Sequence, residues 1–275
     1  MKHIIFDGSN ILWRAHWVST QYAQGYEHQD VSVVLQMIHN ICNSMNCFNM
    51  CFAWDDRELR KQSNPRAILQ ETYKQNRMKQ NDVYQHVDVV KQVIELLGGT
   101  HYRPYALEGD DVIAILCKQL PGEKIIVTAD QDLAQLVSPM VSLYSVTKKT
   151  LITYDNFMQH FEVPVEQYVT YKCIIGDKSD NIAGVPKHGP KKAKMLAHIM
   201  HTDPEHVSED IKGIIQRNRE IMDLDALITE QEIKFVCDQI KVNQADINKF
   251  REVLQCYNLQ KALGMDWLNF FLALK

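Results

Sequence analysis

Nine carboxylates fall in five short groups along this 275-residue chain: Asp7, Asp55, Glu108 with Asp110 and Asp111, Asp130 with Asp132, and Asp177 with Asp180. Taken singly, each has an ordinary use. Asp7 fits a turn, Asp110 or Asp111 a helix N-cap, and Asp180 a cap ahead of the turn at Gly184. Brought to one place, nine carboxylates repel one another and raise each other's pKa unless cations neutralise them. A ligand set of oxygens without His or Cys suits Mg²⁺ or Mn²⁺ rather than zinc. Nine are too many for one octahedral ion that keeps several waters, so two ions or two subsites are expected. Such a site suits phosphodiester chemistry, in which one ion activates water and the other stabilises the leaving oxygen.

The elements that must position these acids are legible in the apolar runs. His3 to Phe6, Asn46 to Trp54 and Lys124 to Thr128, with weaker runs at His101 to Tyr105 and Val141 to Val146, read as buried parallel strands. Helical spacing lies between them, over Val31 to Asn46, Val87 to Leu97 and Asp110 to Leu120, so residues 1–155 form β-α-β units around one sheet. Asp7, Asp55 and Asp130 then end three strands at the edge where open α/β sheets bind ligands. From about Asn156 no strand pattern recurs. Tyr168 to Ile175, Lys191 to Ile199, Glu209 to Met222, Glu230 to Ile240 and Ile247 to Tyr257 read as helices, making 156–275 an all-helical region. The polar stretch Asp56 to Asp82 is a poor core element and is expected to project from the sheet.

Charge is patterned along the chain. The formal net charge of −4 argues weakly against a polyanion partner, yet residues 57–91 hold eight Lys/Arg against four acids and residues 172–194 six Lys against two Asp. Basic stretches alternating with acidic motifs suit a protein that grips phosphates beside a metal site. Seven cysteines with no C-x-x-C pair indicate neither zinc nor a disulfide framework and fit a reducing cytoplasm. No run of about 18 apolar residues appears and MKHIIFDGSN enters a strand directly, so neither export nor membrane insertion is expected.

FDGSN around Asp7, the strand ending in Asp55, YKQNR (Tyr73 to Arg77), EGDD (Glu108 to Asp111), TADQD (Thr128 to Asp132) and GDKSDNIAGV (Gly176 to Val185) occur in one order. In that order and spacing the chain resembles the flap endonuclease and 5′-nuclease superfamily, above all the free-standing phage and bacterial 5′-to-3′ exonucleases and phage ribonuclease H enzymes. The resemblance covers most of the chain. It implies a PIN-like catalytic α/β domain over 1–155 with a helical arch over about 57–90, and a helical DNA-binding region over 156–275 with a helix-three-turn-helix over about 168–200.

Carried over by position, the resemblance implies that Asp7, Asp55, Glu108, Asp110 and Asp111 bind a first Mg²⁺ or Mn²⁺, and that Asp130, Asp132, Asp177 and Asp180 bind or organise a second. Lys74 would contact the scissile phosphate from the arch or its base, with Arg77 close behind; Arg14 and Lys172 match basic active-site positions. Tyr73 would stack on a terminal base or pack at the arch base. In the hairpin of the helix-three-turn-helix a bound K⁺ and backbone amides would clamp duplex phosphates, helped by Lys187, Gly189, Lys191, Lys192 and Lys194. Lys187 and His188 stand where the family has a glycine and an apolar residue, and a lysine there disfavours a positive φ. Asp56 reads as an exposed loop acid, and Trp13, His16 and Trp17 as packing residues at helical spacing.

The expected activity is a monomeric, two-metal 5′ nuclease acting on a 5′ end, a flap or an RNA-DNA hybrid in replication or repair, phage-encoded and working in the host cytoplasm, with recruitment by a single-strand-binding protein or clamp left open. A haloacid-dehalogenase phosphatase would need a second Asp that FDGSN lacks, and PIN-type toxin ribonucleases are shorter. The non-enzymatic rival is a junction-DNA-binding protein of the same fold that has lost its metals.

Overall fold

The structure, a computed structural model, describes residues 1–21, 27–56, 64–75 and 82–259. β1 (Lys2–Asp7) carries Ile4, Ile5 and Phe6 with no exposed surface, as an inner strand covered on both faces requires. α1 (Gly8–Gln21) and α2 (Gln29–Met45) return the chain to β2 (Met50–Ala53). A short α3 (Pro65–Leu69), capped by the Asn64 side chain with Pro65 at its first position, precedes α4 (Val87–Leu96) and β3 (Thr100–Tyr102). α5 (Gly109–Gln119) leads to β4 (Glu123–Thr128), followed by β5 (Val141–Ser145) and β6 (Thr150–Ile152).

The six strands order as β3-β2-β1-β4-β5-β6, parallel apart from the antiparallel β5–β6 pair. Winding runs outward in one direction from β1 to β3 and in the other from β4, so the switch point lies between β1 and β4. A crevice opens there at the carboxyl edge. One face packs α1, α2 and α4 around Phe6 and Phe52, whose rings stack 4.5 Å apart; the other packs α5.

After the sheet come α6 (Phe157–Phe161), α7 (Val165–Ile175), a two-residue hairpin β7 (Gly176–Asp177) with β8 (Ile182–Ala183), α8 (Pro190–Thr202), α9 (Glu209–Met222), α10 (Glu230–Cys237) and α11 (Ile247–Cys256). α7, α8 and α9 enclose a separate core of Cys173, Ile174, Leu196 and Ile215, whereas α10 and α11 return to the two faces of the sheet.

The expected strand from Asn46 is shorter: Asn46 takes the left-handed conformation (φ +45) that ends α2, and pairing starts only at Met50. Strands also recur after Asn156, as the β7–β8 hairpin, because two-residue pairs leave no alternating pattern. Within the expected arch, residues 57–63 and 76–81 lie outside the described residues, and α4 is a core helix whose Val90, Val93 and Ile94 are fully buried. All seven cysteines are free thiols. Among the described residues no helix is long and apolar enough to cross a membrane.

Candidate active site

The crevice gathers acids from three strand ends and a helix start. Asp7 is the last residue of β1; its Oδ1 accepts the Asn10 amide at 3.0 Å and its Oδ2 the Thr128 hydroxyl at 2.8 Å. Thr128 Oγ1 in turn accepts the Asp130 amide at 2.9 Å, and Asp130 Oδ1 the Asp132 amide at 2.8 Å. A continuous chain of hydrogen bonds thus links the end of β1 to the loop after β4. On the other flank Asp55 follows β2, with its amide on Ser9 Oγ and its Oδ1 accepting the Gly109 amide at 3.0 Å, which ties β2 to the start of α5. Gly8 and Gly109 permit this approach. A Cβ on Gly8 would lie 2.8 Å from the Trp54 ring, and one on Gly109 3.3 Å from the Asp55 backbone.

Crowding shows in the protonation of these groups. Burial pushes the Asp7 carboxyl up to about 7 against its two hydrogen bonds, with Asp55 and Asp130 adding repulsion. Asp110, on the first turn of α5, is held well above the carboxylate range by burial and then by Asp130 and Asp7, with Lys74 opposing. Asp7, Asp55, Asp110 and Asp130 therefore share one electrostatic neighbourhood that lacks enough positive charge. Among the described residues no group of three or more is drawn close enough to hold one ion as it stands. The donor set, all carboxylate oxygen and under-neutralised, nevertheless fits hard divalent cations that keep part of their water.

Beside it lies a second group. The Lys172 ammonium, on α7, stands 2.6 Å from Asp132 Oδ1 and 3.6 Å from Asp177 Oδ2. Burial raises Asp132 to about 6 despite Lys172, with Asp130 adding to the shift. Burial would also raise Asp177, but the Ser179 hydroxyl and amide, the Asp180 amide and Lys172 hold it below its ordinary range. Asp177 lies on β7, directly after α7.

Glu108 and Asp111 differ from the expectation of five first-metal ligands. Adjacent helical residues point about 100° apart, and Asp111 turns away from Asp110 into the protein with no exposed surface. Both of its oxygens accept from Arg66 at 2.7 Å in a bidentate pair, and Oδ2 also accepts the Glu108 amide at 2.9 Å, closing the start of α5. Glu108 Oε1 accepts from Asn64, and Oε2 from the Tyr73 hydroxyl at 3.0 Å and the Lys74 ammonium at 2.7 Å. Asp180 Oδ2 lies 3.6 Å from the same ammonium. Tyr73 is buried in the α7–α9 core, so it packs at the arch base rather than offering its ring to a base.

Lys74 takes φ +55, its amide bonding the Asp180 carbonyl. Lys187 does adopt the positive φ that its identity disfavours, at +63, and is exposed. Gly189 caps α8 with an extended backbone, Lys191 and Lys192 are exposed beyond it, and Lys194 is paired with Glu162 rather than left for a phosphate. Arg14 is half-buried on α1, while Trp13 and Trp17, expected as packing residues, are 37% and 61% exposed. Asp56 pairs with Arg103. Arg77 lies outside the described residues. Sequence reasoning missed Arg66, Asn64, Ser9, Asn10 and Thr128. The last three sit inside FDGSN and TADQD, but Arg66 carries no local signal.

Residues 2–162 match the family described as 5′-3′ exonuclease, N-terminal resolvase-like domain. The chain belongs to the 5′-3′ exonuclease family. Among relatives in that family it is 28% identical over 200 residues to a 5′-3′ exonuclease of Buchnera aphidicola, covering 70% of this chain and 68% of that one. To the flap endonuclease Xni of Shewanella piezotolerans it is 28% identical over 210 residues, covering 73% and 78%. It spans 65% of the Mycoplasmopsis pulmonis 5′-3′ exonuclease and 19% of the Thermus caldophilus thermostable DNA polymerase I. The fold is that of the bacteriophage T5 flap endonuclease solved as a pseudo-enzyme-product complex with DNA and metal ions, with TM-score 0.63, 18% identity, and coverage of 94% of this chain and all of that one.

Proposed function

We propose that this member of the 5′-3′ exonuclease family is a divalent-metal-dependent 5′ nuclease that hydrolyses a phosphodiester near a DNA 5′ end or flap, or in an RNA-DNA hybrid. The observation that carries the reading is the under-neutralised set Asp7, Asp55, Asp110 and Asp130 at the switch point, flanked by Lys74 and Lys172. Those four carboxylates would hold one Mg²⁺ or Mn²⁺, and Asp132, Asp177 and Asp180 would organise a second. When bound, the ions supply an activated water and neutralise charge developing on the phosphate. Thr128 and Asn10 orient Asp7, and Glu108 sets Lys74 at the crevice for the scissile phosphate. The hairpin around Lys187, with Lys191 and Lys192, would grip the duplex, with backbone amides and a K⁺ as its clamp.

The test is single-turnover cleavage of three 5′-labelled substrates in Mg²⁺: a 5′ flap, a blunt duplex and an RNA-primed duplex. Short 5′ products in Mg²⁺ but not in EDTA are expected, and their rates rank the substrates. Asp130→Asn with Asp132→Asn should abolish cleavage while leaving DNA affinity nearly intact. Tight binding without cleavage by the wild-type protein would instead assign a junction-binding role.

A further inference from the structure

At the carboxyl edge of the sheet the turn between β5 and β6 stands next to the crevice. Ser145, the last residue of β5, is the register partner of Thr128, the last of β4, so this turn leaves the sheet beside the threonine that joins Asp7 to Asp130. The Val146 amide fastens it there, donating to the Thr128 carbonyl at 3.0 Å. Ser145 also pairs with Thr150, which leaves Val146 to Lys149 as the loop. Its tip is fixed: the Ser145 hydroxyl accepts the Lys148 amide at 3.3 Å, and the Thr150 hydroxyl donates to the Lys148 carbonyl at 3.0 Å. Val146 is buried, whereas Thr147, Lys148 and Lys149 are exposed. Among the described residues neither ammonium forms an ion pair. From Val146 to Lys149 the chain spans at most about 10 Å, so both charges are held close to the crevice.

Lys149 closes the loop with φ +51, in the left-handed region that glycine and asparagine enter at little cost and lysine does not. Among the described residues the other non-glycine residues with positive φ are Asn46, Asn181 and Asn258, Glu162, which is paired with Lys194, and two more lysines, Lys74 and Lys187. The proposed function sets both of those lysines against substrate phosphates. Lys149 bears the same conformation with an ammonium that no carboxylate among the described residues answers, so its charge is left for something outside the chain. A polyanion is what two unanswered ammonium groups beside a nuclease crevice attract.

We propose that the β5–β6 tip is a further DNA contact, with Lys148 and Lys149 each neutralising a backbone phosphate of duplex DNA near the cut. It rests on the 5′-nuclease reading and adds to it a binding surface separate from Lys74 and from the β7–β8 hairpin. The contact is to phosphate and carries no sequence preference.

Fluorescence anisotropy of a labelled 5′-flap duplex, measured in Ca²⁺ over about 50–200 mM salt, reads the contact without turnover. Each phosphate contact contributes about 0.9 to the slope of log affinity on log salt, so Lys148→Ala with Lys149→Asn should flatten the slope by about 1.8 and weaken binding by about tenfold or more at the low-salt end. Lys149→Arg should keep both values. Lys149→Gly and Lys149→Asn should leave the metal-free Tm at or above that of the wild type, because both residues accept the left-handed backbone, so a fold defect cannot account for their weaker binding. Lys2→Ala, which removes one charge at the start of β1 on the opposite edge, should change neither slope nor affinity. Unchanged slope and affinity in the double variant, equal losses from Lys2→Ala, or losses that Lys149→Arg shares would overturn the assignment. If the wild type binds the flap but cuts nothing in Mg²⁺, the nuclease reading fails and the slopes alone decide the contact. If cleavage proceeds and the slopes do not differ, the nuclease stands and the contact falls. A wild type that binds no DNA ends both.

Discussion

Asp111→Asn separates an anchoring carboxylate from a metal ligand in one measurement. The substitution conserves volume but removes the charge that faces Arg66, whose guanidinium is buried and makes two 2.7 Å bonds to Asp111. Arg66 would retain its Nε bond to the Ile221 carbonyl and the distant Glu108 carboxylate at 3.9 Å. Breaking one side of such a buried pair costs about 3–5 kcal/mol. At roughly 2 °C per kcal/mol for a chain of this size, the metal-free Tm should fall by about 6–10 °C. Circular-dichroism melts in EDTA and in Mg²⁺ read this directly. The Mg²⁺-induced rise in Tm should survive in Asp111→Asn, because the ions bind elsewhere. Arg66→Met combined with Asp111→Leu should recover most of the loss, since it leaves no orphaned charge. A metal-free Tm equal to wild type together with a vanished Mg²⁺ response would refute the reasoning and return Asp111 to the metal site.

Asp7 makes a pH prediction. Because its folded carboxyl keeps its proton up to about 7 while the unfolded one loses it near 4, the folded state binds more protons in that window and metal-free stability is lost as pH rises through it. Asp7→Asn cannot titrate, so its Tm advantage over wild type in EDTA should be absent below pH 4 and grow to a plateau above pH 7; a constant offset would contradict the shift. Lys74→Ala should lower the single-turnover rate about 100-fold, the effect of removing one positioned donor, with a much smaller change in DNA affinity; equal losses would make Lys74 an anchor only. Gly8→Ala forces a methyl against the Trp54 ring and the Ala53 carbonyl, and should cost about 1–3 kcal/mol in denaturant melts; a neutral result would show that β2 can yield there.

The sheet was readable because its inner strands are short apolar runs ending in Asp, and Asp7, Asp55 and Asp130 needed only that rule to be placed. Asp110 and Asp111 show where the rule ends. They are neighbours in EGDD and chemically identical, and only tertiary packing tells which one faces the crevice, since the partner of Asp111 is 45 residues away on a helix of five residues. Asp177 eluded placement for a related reason: a two-residue strand has no periodicity to detect. Tyr73, read as stacking on a base or packing at the arch base, and Lys74, read as a phosphate contact, both bond Glu108, long-range contacts that no local spacing encodes. Thr128 and Asn10 lay in view inside their motifs, but their role exists only once β1 and β4 are known to be adjacent.

Residues 70–74 and 180–181 are stitched together by three bonds: Lys74 amide to Asp180 carbonyl, Gln70 amide group to Asn181 carbonyl, and Asn181 amide group to Thr72 carbonyl. The loop that closes the β7–β8 hairpin is therefore tied directly to the segment that carries Lys74. If duplex binds on the hairpin and substrate at Lys74, as proposed, these bonds offer a route for coupling, and any change one makes in the affinity for the other is reciprocal. The enzyme would thus sense, through a few backbone carbonyls, whether the strand it is about to cut is attached to a helix.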